Sequence, residues 1–226
     1  MDRIYEGLLG QTPFYVTILQ LHHLPAILTL QQEVYEVLPD QSILQPLSTE
    51  EFEYILQGNG LMIGAYVENK LIGFRALLNP PVDDEHLGYD CAIPEEQFHR
   101  VLYQEISNVS PLYRGYGLQK TLATIVMNEI DLNSYDYVCS TVKPYNIPSL
   151  KDKFSQGLVI KGLKIKYVDK LRYIFYKDLQ LEQPQYVEKK AVVMSDTAMQ
   201  QQLLKEGFTG TSMYEEQNEW FVVFEK

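Results

Sequence analysis

The sequence predicts an α/β fold in which helices flank a mixed β-sheet. Two observations carry that prediction. Apolar spacing switches repeatedly between the two-residue period of a strand and the three- to four-residue period of a helix. Several β-branched and aromatic runs also come in pairs joined by short polar connections, as adjacent antiparallel strands do. With 226 residues, 46% of them hydrophobic, the chain can bury a continuous core as one large domain or as one domain with an appendage.

Phe14 to Leu19 is rich in β-branched and aromatic side chains and reads as a strand, followed by an amphipathic helix over Leu24 to Leu38. Ser48 opens a second helix, because its hydroxyl and the Glu51 carboxylate can each accept the other's backbone amide. Gly58 and Gly60 stop it. Leu61–Val67 and Leu71–Leu78 flank Glu68-Asn69-Lys70 as a hairpin, Pro80-Pro81 and Asp83-Asp84-Glu85 make a loop, and Pro94-Glu95-Glu96 starts a helix. Val101 to Val109 is then a strand, and Gly117 to Ile130 is a helix with Leu118, Leu122, Ile125 and Val126 on one face. Asp136 to Val142 returns to strand, completing a β-α-β unit. A short helix over Asn146 to Phe154 precedes two strands, Leu158–Val168 and Leu171–Leu179. Beyond Glu182 to Gln185 come Ala191–Met194, a helix capped by Ser195 or Asp196 and ended by Gly207, and a last strand, Trp220–Phe224. The division expected is a main domain over residues 1–180 and a C-terminal β-α-β appendage over residues 181–226.

Thirty acidic against nineteen basic side chains give a net charge of −11, which repels a nucleic-acid backbone. The basic run from Lys143 to Lys177 reads as a solvated face or as lysines that meet the phosphates of a nucleotide cofactor. No stretch has the apolar length that crosses a bilayer, and residues 1–10 lack the pattern of a leader, so a cytoplasmic protein with no membrane partner is expected. Cys91 and Cys139 sit among apolar neighbours at no metal-ligand spacing, and buried, unpaired thiols are expected. His22, His23, His86 and His99 assemble neither a metal site nor a nucleophile triad, so no metal is expected.

The chemistry concentrates in Ser110-Pro111-Leu112-Tyr113-Arg114-Gly115-Tyr116-Gly117-Leu118-Gln119, where a strand gives way to a helix. Such a junction presents unpaired amides at the positive end of the helix dipole, and glycines at 115 and 117 let the backbone turn tightly against a diphosphate. A ligand-free Gly-x-Gly turn is the plainer alternative. The spacing is neither that of a P-loop nor that of a dinucleotide fold.

Over residues 14 to 179 the element order, together with this segment, resembles the GNAT superfamily of N-acetyltransferases. Arg114 and Gly117 match the family's pyrophosphate motif, whereas Gln119 stands where the family has glycine or alanine; Val109-Ser110-Pro111-Leu112-Tyr113 resembles its lead-in. The resemblance implies a central mixed, mostly antiparallel sheet, acetyl-CoA as acyl donor, and transfer of an acetyl group to a primary amine of a small molecule or peptide. It implies that the strand Val101–Val109 pairs with the pantetheine arm, and that Val109, Arg114, Gly115, Tyr116, Gly117, Leu118 and Gln119 hold the cofactor.

Val142 to Ser149 resembles the family's Asn-x-x-Ala/Ser segment, which implies cofactor contacts from Asn146 and Ser149; Asn146 also reads as a helix cap. Many relatives carry a tyrosine seven residues after that asparagine, and here the position is Lys153. Glu105 is the candidate general base, against the alternative of a solvated or lysine-paired carboxylate. Tyr145 is the candidate proton donor, with Tyr113 and Tyr116 behind it. The acceptor is expected between the first helices and the sheet, opposite the cofactor, where Asp83, Asp84, Glu85 and Asp90 could attract an amine. Two other readings stay open: a catalytically silent acetyl-CoA-binding module, and a protein-interaction role in which Trp220–Phe224 pairs across a homodimer instead of closing the chain's own sheet.

Overall fold

The computed structural model describes residues 2–38, 45–182 and 184–226. The chain forms two compact units, Met1–Asn79 with Tyr103–Asp131, and Pro80–Leu102 with Leu132–Lys226. In both, antiparallel strands are flanked by helices, so the α/β class is the one expected.

In the first unit five strands lie in the order β1 (Arg3–Leu9), β2 (Thr12–Ile18), β3 (Gly60–Val67), β4 (Lys70–Leu78) and β5 (Val101–Val109). The expected β3–β4 hairpin pairs Val67 with Lys70 at its turn. β1 escaped the sequence reading because it is mostly exposed and shows no clean alternation of apolar and polar residues. Helix α1 (Leu24–Glu36) and helix α2 (Thr49–Leu56) pack on one face of this sheet, and α2 opens with the reciprocal Ser48–Glu51 cap. Phe52 meets Phe74 edge-on at 5.8 Å, inside a cluster that includes Ile27, Leu30, Ala76 and Ile106.

Successive strand residues face opposite sides, which places the next helix. Phe74 belongs to the α1–α2 cluster, whereas a Cβ built on Gly73 would lie 3.3 Å from Leu118 and Leu122. Those leucines belong to α4 (Leu118–Asn128), which covers the opposite face through Leu118, Leu122 and Val126.

The second unit orders its strands β6 (Tyr137–Val142), β8 (Lys170–Asp178), β7 (Val159–Lys166), β10 (Thr209–Glu216), β11 (Glu219–Glu225) and β9 (Lys189–Val193). The four-residue helix α3 (Leu87–Asp90) packs by β6, α5 (Ile147–Ser155) by β10, and α6 (Thr197–Lys205) by β7 and β10. The segment Pro94-Glu95-Glu96 leads into a 3-10 helix over Glu95–Arg100, wound with fewer residues per turn than the α-helix expected. Arg100 grips Asp136 with two nitrogens, and its hydrogen bond holds that carboxyl below the usual carboxylate range.

Residues beyond 181 contain one strand more than expected, β10, whose outer half is exposed and polar. At Gly210 it meets Ile160 of β7 so closely that a Cβ would lie 2.9 Å from the Ile160 side chain. Trp220–Phe224 lies within β11, which is paired on both sides, to β10 and to β9. The strand therefore closes the chain's own sheet and has no open edge for pairing across a homodimer. Part of the expected junction, Gln183, lies outside the described residues.

Candidate functional site

The glycine turn closes β5 and opens α4. Ser110 is fully buried, its amide bonded to the Ile72 carbonyl at 2.8 Å and its hydroxyl donating to the Glu33 carboxylate at 2.6 Å. Pro111–Tyr113 makes one 3-10 turn, with the Tyr113 amide bonded to the Ser110 carbonyl at 2.9 Å. Arg114 is extended and exposed. Gly115 then sits at φ +85° and Gly117, the N-cap of α4, at φ +76°. A side chain there costs about 1–2 kcal/mol, which accounts for both glycines.

Among the described residues nothing lies within 4 Å of where a Cβ would stand on either glycine. The first intrahelical bond of α4 runs from the Thr121 amide to the Gly117 carbonyl, and the cap makes no side-chain hydrogen bond. The amides of Leu118, Gln119 and Lys120 therefore have no partner among the described residues and point along the positive end of an eleven-residue helix. Leu118 is buried and anchors the turn, while Arg114, Gly115, Tyr116, Gly117 and Gln119 are exposed around it. The Tyr116 ring lies against the β1–β2 turn, 3.3 Å from the position of a Cβ on Gly10. An open ring of unpaired amides beside an exposed guanidinium is the donor set a diphosphate needs.

The strand feeding this turn is irregular. Ala76 pairs with Ile106 but Leu77 pairs with Gln104, so Glu105 is an extra residue, bulged from β5 and exposed. Val109 pairs with Gly73 at the strand's end. Between them the Ser107 hydroxyl and both amide atoms of Asn108 are buried without a hydrogen-bond partner among the described residues. Buried polar groups are normally satisfied, so this stretch of β5 is atypical of a purely structural strand. Neither the bulge nor these groups could be read from spacing.

On the α1 face, opposite α4, a depression of about 240 Å³ is lined by Pro25, Ala26, Thr29, Leu30, Glu33, Lys70 and Leu71. Its acid is Glu33, 3.7 Å from the Lys70 ammonium. The acidic residues expected to attract an amine lie in the other unit, and Asp90 there is taken by Lys164 and Lys166 at 2.6 and 3.2 Å.

The second block belongs to the second unit. Asn146 caps α5, its side-chain oxygen accepting the Ser149 amide at 3.3 Å, so the capping role is realised. Tyr145 precedes it at φ +64°, half exposed, with its amide directed at the Met194 sulfur at 3.2 Å. Beneath it the fully buried Gln200 accepts from the Tyr173 hydroxyl at 2.7 Å and donates to the Met194 carbonyl at 2.9 Å. Burial pushes the Tyr173 phenol well up. Sequence reasoning missed these supports, because Met194 and Gln200 lie about fifty residues downstream. Lys153 sits beside Asp152 at 3.4 Å. The basic run is largely absorbed locally: Lys151 lies over the Trp220 ring, Lys161 donates to Thr209 and Lys177 donates to the Gln156 carbonyl.

No protein-family profile and no curated protein matches the sequence. Solved structures do match. A Salmonella typhimurium protein assigned as an acetyltransferase, solved with acetyl-CoA, superposes with a TM-score of 0.54 at 12% identity, covering 74% of this chain and 94% of its own. An acetyltransferase of the GNAT family from Listeria monocytogenes gives 0.56 at 16% identity, covering 77% and 100%. The chain has the GNAT fold. The ribosomal-protein-alanine N-acetyltransferase of Brucella melitensis shares it, with a TM-score of 0.52 at 18% identity over 73% of this chain and 99% of its own. These GNAT-fold proteins are matched over nearly their whole lengths, so about a quarter of the present chain lies beyond the shared fold. Among the described residues no helix is long and apolar enough to cross a membrane.

Proposed function

We propose that this chain is an acetyl-CoA-dependent acyltransferase that moves an acetyl group onto a primary amine. The observation that carries the reading is the open glycine turn at Gly115 and Gly117, with free amides at the head of α4, in a fold that a neighbour uses with acetyl-CoA bound. Arg114 and the amides of Gly115 through Gln119 would hold the diphosphate, and Val109 and its strand the pantetheine arm. Asn146 and Ser149 would contact that arm from the α5 turn. Acetyl-CoA supplies the activated acyl group as a thioester.

The protein's part is to position an amine, take its proton and stabilise the departing thiol. Glu105, exposed at the bulge of β5, is the proposed base, acting directly or through water. Tyr145 is the proposed proton donor; its left-handed backbone is a strained conformation of the kind that accumulates at functional sites. The depression beside α1 is the proposed acceptor site, where an incoming ammonium would compete with the exposed Lys70 for the Glu33 carboxylate.

The experiment is thiol release from acetyl-CoA measured over a panel of primary amines, alongside calorimetric titration of acetyl-CoA alone. Release that depends on the amine supports the transferase. Binding without release on any amine supports the silent module, a reading favoured by Gln119 in the glycine turn and by Lys153 at the position where the resemblance implies a tyrosine.

A further inference from the structure

Cys91 and Cys139 are separated by 48 positions, yet their sulfurs stand 3.9 Å apart. Both are free thiols. We infer that they form an oxidisable dithiol site, one that takes a small-molecule disulfide as co-reactant and closes to an intramolecular disulfide.

The two sulfurs are unequal in access and in freedom to move. Cys139 is fully buried in β6, where its backbone pairs with Tyr176 of β8. Cys91 is partly exposed at the end of α3, held by its amide to the Leu87 and Gly88 carbonyls at 3.1 and 3.2 Å. A reagent therefore reaches Cys91 first. A disulfide requires the sulfurs to approach to about 2.05 Å, and the displacement falls to Cys91, since it ends a single helical turn while Cys139 is fixed within a sheet. The contact with Cys91 and burial push the Cys139 thiol well up, so it stays protonated through the first exchange and must give up its proton before the second.

The chemistry balances in two exchanges. The Cys91 thiolate attacks one sulfur of the small disulfide and expels the first thiolate, leaving a mixed disulfide. That thiolate takes the Cys139 proton, and the Cys139 sulfur then attacks the Cys91 sulfur and expels the second thiolate, which picks up the proton that Cys91 gave to water. Two protein thiols and one small disulfide become one protein disulfide and two small thiols. The loop so closed spans β5, the glycine turn and α4, and cross-linking its ends restricts the unfolded chain.

The test is incubation of the folded, reduced protein with oxidised glutathione, followed by alkylation and peptide mass spectrometry. The expected product is a Cys91–Cys139 cross-linked peptide that carries no glutathione, reverts with dithiothreitol and raises Tm by about 5–10 °C. Cys139→Ser should stop at glutathione on Cys91; Cys139→Ala gives the same readout should the serine fail to fold. A wild-type protein that keeps glutathione on Cys91, or that leaves both thiols alkylatable, overturns the inference.

Discussion

A single exposed carboxylate is proposed to do the proton chemistry. Glu105 is the bulged residue of β5, and a bulge re-aims one side chain by leaving it unpaired and shifting the register beside it. Glu105→Gln keeps the shape and removes the base, so kcat should fall by about 10²-fold or more while the KM for acetyl-CoA holds, measured by thiol release. An unchanged kcat would assign Glu105 to the solvated surface. His23 makes a different prediction. Its Nδ1 accepts the Gln20 amide at 2.9 Å, its Nε2 is buried without a partner among the described residues, and burial, reinforced by His22, lowers its pKa. The unfolded chain therefore binds a proton near pH 6.5 that the folded chain resists, so stability is fully present above about pH 6.5 and is lost as pH falls below it. Denaturant titrations between pH 8 and 5 should show that loss, and His23→Asn should flatten the slope in part, because buried His86 shifts the same way. An unaltered slope would contradict this account.

The cofactor-side elements show what sequence can and cannot disclose. The glycine turn was legible because glycine is the residue that takes positive φ cheaply, and both glycines do so. The Ser48 and Asn146 caps were legible because a cap is a local hydrogen bond between residues three apart. The bulge at Glu105, the Ser110–Glu33 bond and the Met194 contact under Tyr145 were not, since each depends on strand register or on partners distant in sequence. Asn146 is assigned two roles that substitution can separate. Asn146→Asp keeps a good cap but loses the amide donor, so stability should hold within about 0.5 kcal/mol while the KM for acetyl-CoA rises; Asn146→Ala should lose both, with about 1 kcal/mol of stability. Equal KM values for the wild type and the Asp variant would leave Asn146 a cap alone.

Across the chain, the alternation of periods disclosed the α/β class and the order of most elements, while the exposed strands β1 and β10 stayed hidden because neither has a clean apolar face. The C-terminal residues are proposed as an appendage to the GNAT-like domain, but they complete a core. Gln200 satisfies the buried Tyr173 hydroxyl, and β10 packs its Gly210 on Ile160. Removing residues 181–226 should therefore abolish cooperative unfolding and yield aggregated protein, as judged by calorimetry and light scattering; a trimmed chain with a sharp transition would show that residues 1–180 fold alone.

The decisive comparison is calorimetric titration of acetyl-CoA into the wild type and into Gly117→Asp. Aspartate is a favoured N-cap and tolerates left-handed backbone, so the variant should fold, yet it sets a carboxylate where the diphosphate must sit. The account predicts saturable binding to the wild type, weakened at least about thirtyfold in the variant, with Tm lowered by no more than about 2–8 °C. Equal affinity in the two proteins, or no binding to the wild type, would contradict it.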